Sequence, residues 1–180
     1  MLTKNLDFRT LYMLYNFFTN LDNETKRYFH PPLVYPLYKS PFSLISYVRL
    51  FISSLIPIYV LVKAFPRLAC ITAIAKSNGI QGFAQLTMRR NLKWYESELS
   101  IVVGGEFQGK GIGNMLLKTV IGEGRRNNVV KIRLGVLKEN IPAISLYRKH
   151  GFRIVKETVD SFNGIAIAAL LMESSLATLD

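Results

Sequence analysis

Glu98-Leu-Ser-Ile-Val-Val-Gly-Gly-Glu-Phe-Gln-Gly-Lys-Gly-Ile-Gly113 passes from strand character into a glycine-rich loop and then straight into a helical pattern. Residues 98–103 have the β-branched content and length of a buried strand, and Gly104 and Gly105 end it. From Gln108 to Gly113 every second residue is glycine, so the backbone can approach a ligand without Cβ atoms in the way. Turning amides followed by the free N–H groups of a helix start form a cup that attracts anions, phosphate above all. The plainer reading is a tight strand-to-helix turn, and the loop alone does not choose between them.

A dinucleotide fingerprint needs G-x-G-x-x-G and an acidic residue about 20 positions later in a βαβ unit. Gly109, Gly111 and Gly113 are followed next by Gly122 and Gly124, with no acidic strand end in place. A Walker-type loop is excluded because no Gly-Lys-Ser/Thr occurs.

Beyond the loop, Ile112, Met115, Leu116, Thr119 and Val120 mark the expected buried side of a helix closed by Asn127 and Asn128. Arg125 and Arg126 suit the negative end of its dipole. Residues 131–137 alternate, with Ile132, Leu134 and Val136 on one face. A right-handed crossover would lay this strand parallel to 98–103. Asn140 and Pro142 open another helix and Gly151 stands at its C′ position. Read alone, Asn140 is most simply a cap and Tyr147 a core aromatic. Residues 152–158 and 165–172 make a last hairpin around Asn163-Gly164, so the sheet is mixed.

Upstream, residues 2–6 read as a short edge strand. Asp7 is an N-cap before Leu11, Leu14, Tyr15, Phe18 and Leu21 at helical spacing, and a shorter helix follows over 23–28. Residues 33–39 read as loop, and Ser40-Pro41 opens a helix that Pro57 ends. Residues 43–62 approach the length of a membrane span, but Arg49, Pro57 and four serines favour a buried helix or a substrate-side lid. Strands over 68–75 and 80–88 meet at Asn78-Gly79, and 98–103 completes an antiparallel meander.

One domain of 180 residues can bury a core. Cys70 is the only cysteine, which excludes an internal disulfide or a cysteine metal cluster and fits a reducing compartment. His30 and His150 lack ligand spacing, so no metal is expected. The N-terminus has no signal-peptide pattern, which points to the cytoplasm. The net charge is +11, and residues 1–97 hold 12 of the 23 basic but 4 of the 12 acidic side chains. The excess lies outside the loop, and no nucleic-acid motif accompanies it.

The residues resemble the GNAT superfamily of acetyl-coenzyme A-dependent N-acetyltransferases. The match rests on Gln108-x-x-Gly111-x-Gly113 after the strand, and on Asn140-x-x-Ala143-x-x-Leu146-Tyr147-x-Lys149-x-Gly151-Phe152. The two motifs stand about 30 residues apart in the expected order. Phe17 to Leu21 and Tyr28 to Pro31 also look like the opening helices of small members. The resemblance implies an α/β GNAT fold: a mixed, mostly antiparallel sheet, splayed at the cofactor site, with helices on both faces. It implies one domain over 1–180, with N-terminal and substrate-side elements in 1–67 and an acetyl-CoA-binding core in 98–157.

It further implies that Gln108, Gly109, Lys110, Gly111, Ile112 and Gly113 hold the coenzyme pyrophosphate. Ile101, Val102 and Val103 would pair with pantetheine as another strand would, and Asn140, Ala143, Tyr147 and Lys149 would complete the cofactor contacts, with Arg148 a weaker one. A neutral amine would attack the acetyl thioester, a strand amide of Val102 or Val103 would hold the oxyanion, and Tyr147 would protonate the leaving thiolate. Glu98 and Glu96 are the candidate bases, with water or a substrate arriving deprotonated equally open. The ribosomal-protein alanine branch uses a glutamate on the next strand, where this chain has Gly135. Long-range charge favours a neutral or acidic amine acceptor, such as a protein N-terminus, amino acid or amino sugar. A non-catalytic acyl-CoA sensor is the alternative, and partial exposure of 43–62 would argue for a homodimer.

Overall fold

A computed structural model describes residues 8–28, 70–90, 95–162 and 165–176. The expectations for 2–6, 33–39, Ser40-Pro41 and 43–62 lie outside these residues. Two helices, α1 (Phe8–Thr19) and α2 (Asn23–Tyr28), precede the strands β1 (Cys70–Lys76), β2 (Ile80–Arg90) and β3 (Tyr95–Val103). A 3₁₀ turn over Gly105–Phe107 leads to α3 (Ile112–Arg126), β4 (Val129–Leu137), α4 (Ile141–Lys149), β5 (Arg153–Phe162) and β6 (Ile165–Ser175). The six strands form one sheet in the order β1-β2-β3-β4-β6-β5.

The period-2 pattern of the strands separates two apolar faces. On one, Ala84, Leu86, Leu99, Ile132, Leu134 and Met172 pack beneath Leu116, Leu117, Val120 and Ile121 of α3 and Ile144 and Tyr147 of α4. On the other, Ile74, Phe83 and Val102 meet Leu14 and Phe18 of α1, with the rings of Phe18 and Phe83 edge to face at 5.3 Å. Helices therefore cover both faces, as expected.

The buried stripe of α3 corrects the sequence reading. Leu117 and Ile121 are in the core, whereas Met115 is 47% exposed. The helix approaches the sheet over Gly82 on β2, where a Cβ would stand 2.9 Å from Leu116 Cδ1 and 3.3 Å from Ile112 Cγ2. The bare backbone there lets Leu116 lie close against the sheet.

β1, β2 and β3 form the antiparallel meander, with Ser77 N–H donating to the Gly79 carbonyl at the first turn (3.0 Å). β3 and β4 are parallel, but they pair only from Tyr95↔Val129 to Glu98↔Arg133. Past that point β3 stays paired with β2 as far as Val103, and β4 with β6 as far as Leu137. The sheet thus splits along one seam while each half remains continuous.

Candidate functional site

Among the described residues, the split leaves one edge of β3, over residues 99–103, without a strand partner. Two helices open at its mouth. α3 starts at Gly111, whose φ of 80° belongs to the left-handed region, as does the 73° of Gly109. A Cβ at either glycine would meet nothing within 4 Å, so conformation and not crowding requires glycine there. No side chain caps this helix. Among the described residues, the N–H groups from Gly109 to Gly113 have no protein acceptor, because the ladder resumes with Met115 N–H donating to Gly111 O (3.0 Å).

Gln108 narrows the expected cup by one residue. Its N–H donates to Gly105 O (3.2 Å), and its side-chain amide donates to Val103 O (3.2 Å) and reaches Thr25 Oγ1 at 3.5 Å. The Gln108 side chain therefore ties the loop to the end of β3 and to α2. Lys110 is exposed, with its ammonium 5.6 Å from the centroid of the Phe107 ring.

α4 forms the other wall. Asn140 Oδ1 accepts from Ala143 N–H (3.2 Å), the N-cap read from the sequence. Gly151 at φ 82° closes the helix. At the throat, a Cβ on Gly113 would stand 3.2 Å from Leu146 Cδ2 and 3.8 Å from Val103 Cγ2, so β3, α3 and α4 converge there. Tyr147 is 7% exposed and lies against Phe152. Burial raises its pKa above the ordinary phenol value, so it stays protonated at neutral pH. Arg148 lines an open cavity together with Ile154 and Glu157.

The two candidate bases separate. Glu98 is half-buried and is the last residue of β3 paired with β4 before the split. Glu96 accepts from Arg133 Nη1 (3.0 Å) and lies 4.0 Å from Lys131 Nζ. Arg133 also pairs with Glu173 of β6, the bond that chiefly raises its pKa. Gly135 on β4 is exposed, and a side chain there would meet nothing within 4 Å.

Sequence reasoning missed this ion-pair group, since its members lie on three strands and no local signal links them. It also missed the contact of His150 Nε2 with Asn114 Oδ1 (2.7 Å), which joins the end of α4 to the first turn of α3. Burial, then Lys118 and Lys149, lowers the His150 pKa. Leu146 and Gly82 did carry signals, the first as a motif position and the second as an isolated strand glycine. Among the described residues, no group of three or more His, Cys, Asp or Glu side chains could hold a metal ion, and no helix is long and apolar enough to cross a membrane.

Among the described residues, an uncapped helix start thus stands beside a strand edge with no strand partner. The family model for the acetyltransferase (GNAT) family matches residues 32–152, and the chain belongs to that family. Among curated proteins it is similar to the uncharacterized N-acetyltransferase YobR of Bacillus subtilis (strain 168), 31% identical over 87 residues. That alignment covers 48% of this chain and 30% of YobR, so the chain spans under a third of that relative's length.

Among solved structures, yncA from Salmonella typhimurium, determined with its cofactor acetyl-CoA, aligns with a TM-score of 0.57 and 25% identity over 67% of this chain and 73% of that one. The ribosomal-protein-S18-alanine N-acetyltransferase of Escherichia coli has the same fold, with a TM-score of 0.60 over 98% of this chain and 94% of its own at 18% identity.

Proposed function

We propose that the protein is an N-acetyltransferase that moves the acetyl group of acetyl-CoA onto a primary amine by direct attack. The observation that carries this reading is the seam between β3 and β4, closed as far as Glu98 and open beyond it beside an uncapped helix. The residues present fit the coenzyme. Gly109 to Gly113 offer amides for its diphosphate, and Ile101, Val102 and Val103, the last with its carbonyl already accepting from Gln108, offer a strand edge for pantetheine. Asn140, Ala143 and Lys149 stand on the facing helix.

The coenzyme supplies an activated acyl group with a thiolate leaving group, and the chain supplies orientation and proton transfer. A strand N–H of Val102 or Val103 holds the developing oxyanion. Tyr147, protonated because it is buried, donates to the departing sulfur. Glu98 takes the ammonium proton directly or through water. Glu96, held by Arg133, keeps the closed end of the seam together instead. The acceptor is a neutral or acidic amine such as a protein N-terminus, amino acid or amino sugar, because a chain of net charge +11 repels polycations at long range. The single cysteine suits work in the reducing cytoplasm.

Thermal shift with acetyl-CoA, followed by thiol release across an amine panel, tests the proposal. Ligand at a hundred times its dissociation constant adds about 2.7 kcal/mol of stability. Glu98→Gln should lower kcat about 10²-fold and leave the thermal shift with acetyl-CoA unchanged. Stabilisation by coenzyme with no thiol released for any amine class would replace catalysis with acyl-CoA sensing.

A further inference from the structure

We propose that the groove between α4 and the β5–β6 hairpin is a second binding site, which takes a small monocarboxylic acid with an apolar body about 10 Å long. Helical spacing gives α4 two separate surfaces. Leu146 reaches the throat at Gly113, whereas Ile141, Ile144, Ser145 and Arg148, at i, i+3, i+4 and i+7, line the groove. Ile154 and Glu157 of β5, Leu170 of β6 and Lys138 after β4 complete an open cavity of about 520 Å³. Small-molecule sites commonly measure about 300–1,000 Å³.

The apolar lining continues into water. Ile144 and Leu170 are buried and floor the cavity, but Ile141 is 64% exposed and Ile154 41%. An apolar body laid between these two isoleucines, one on the helix and one on the strand, gains about 25 cal/mol for each Å² removed from water.

Charge selects the head group. Lys138 Nζ and Glu157 Oε1 stand 2.8 Å apart, so these two offset each other. Arg148 is exposed, and among the described residues no carboxylate pairs with it. The groove is left with one uncompensated guanidinium, whose planar fork matches a carboxylate. Ser145, three residues earlier on the same face, sets a hydroxyl donor beside it. A cationic ligand would be repelled there, and an uncharged one would leave the guanidinium unanswered.

Length follows from the helix. Ile141 and Arg148 are seven residues apart, about 10 Å along an axis that rises about 1.5 Å per residue. An acid held at Arg148 therefore runs past Ile144 and ends beside Ile141. The family resemblance implies a weak contact of Arg148 with coenzyme phosphates, and the two assignments differ in whether coenzyme displaces the acid.

Titrating the full chain, with labelled isoleucine δ1 methyl groups, with phenylbutyrate tests the site by NMR. The methyls of Ile141, Ile144 and Ile154 should shift together and saturate with a Kd of about 1 mM or below. Phenylbutanol, which has the same length and no charge, should bind about tenfold more weakly, and so should the acid to Arg148→Gln. Ile141→Asp should weaken the acid equally while leaving the melting temperature unchanged, because position 141 is exposed and an acidic residue suits a first helical turn. Saturating acetyl-CoA should leave the acid bound. Methyls that stay in place at ten times that Kd overturn the proposal, as does equal binding of the alcohol or undiminished binding of the acid by Arg148→Gln. Displacement of the acid by coenzyme overturns it too, by returning Arg148 to the coenzyme phosphates.

Discussion

Along nine residues, β3 treats β4 in two ways. From Tyr95 to Glu98 it is joined to β4 by a parallel ladder, and Glu96, Lys131, Arg133 and Glu173 interlock across that half on one face. From Leu99 to Val103, among the described residues, the ladder to β4 is absent, the strand carries no charge, and an uncapped helix start and the throat at Leu146 take their place. Buried main-chain groups nearly always find partners. A sheet that leaves one stretch open while closing the stretch beside it keeps that edge for something other than itself. The closed half sets where the split begins, and the open half is where we propose that the coenzyme lies.

The comparison breaks first at Tyr147. Replacing it with Phe removes the proposed proton donor while keeping its packing, so kcat should fall about 10²-fold or more. Acetyl-CoA affinity, measured by calorimetry, should hardly change. An unchanged kcat would return Tyr147 to the role of core aromatic.

Gly111→Val forces a β-branched residue into φ 80° at the helix start. Strain of about 1–3 kcal/mol should weaken acetyl-CoA binding roughly ten- to hundredfold in the same calorimetry. Equal binding by this variant would mean that the cup is only a turn.

On the closed side, Arg133→Met leaves Glu96 and Glu173 with only the more distant Lys131, 4.0 and 3.9 Å away, as a shared cation. Arg133 is 43% exposed, so the loss should be about 1 kcal/mol or less in urea titration, and smaller still at high salt. If this variant loses coenzyme affinity as strongly as Gly111→Val, the two halves are not separable.

The smallest effect concerns pH. His150 holds its proton less tightly in the fold than in the unfolded chain, so its contribution is present above the ordinary imidazole value and is lost as pH falls below about 6.5. His150→Gln should flatten that acid limb in thermal melts run from neutral to mildly acidic buffer.

What could be read from the sequence followed locality. The 98–113 stretch carries strand, loop and helix in one continuous run, and α2 and the caps at Asn140 and Gly151 each depend on a few neighbouring residues. The residues unpaired by the split were expected only through family resemblance, because where β3 stops pairing with β4 depends on segments about 35 residues apart. Arg133 with Glu173 is likewise a contact across 40 positions. Met115 shows the other limit. Helical spacing marks an apolar stripe, but which of its edges is buried depends on packing against strands elsewhere in the chain, as where Leu116 lies over Gly82.

Gln108 and Gly105 moor the glycine loop to α2, because Gln108 reaches Thr25 while a Cβ on Gly105 would stand 2.8 Å from Asp22 Oδ2. Asp22 in turn caps α2 through the N–H and hydroxyl of Thr25, bonds that hold its carboxyl below the usual range. A six-residue helix far upstream is thereby harnessed to the rim of the cup. The loop cannot rearrange around a guest without tugging on that helix, so the chain's beginning and its middle share one mechanical fate.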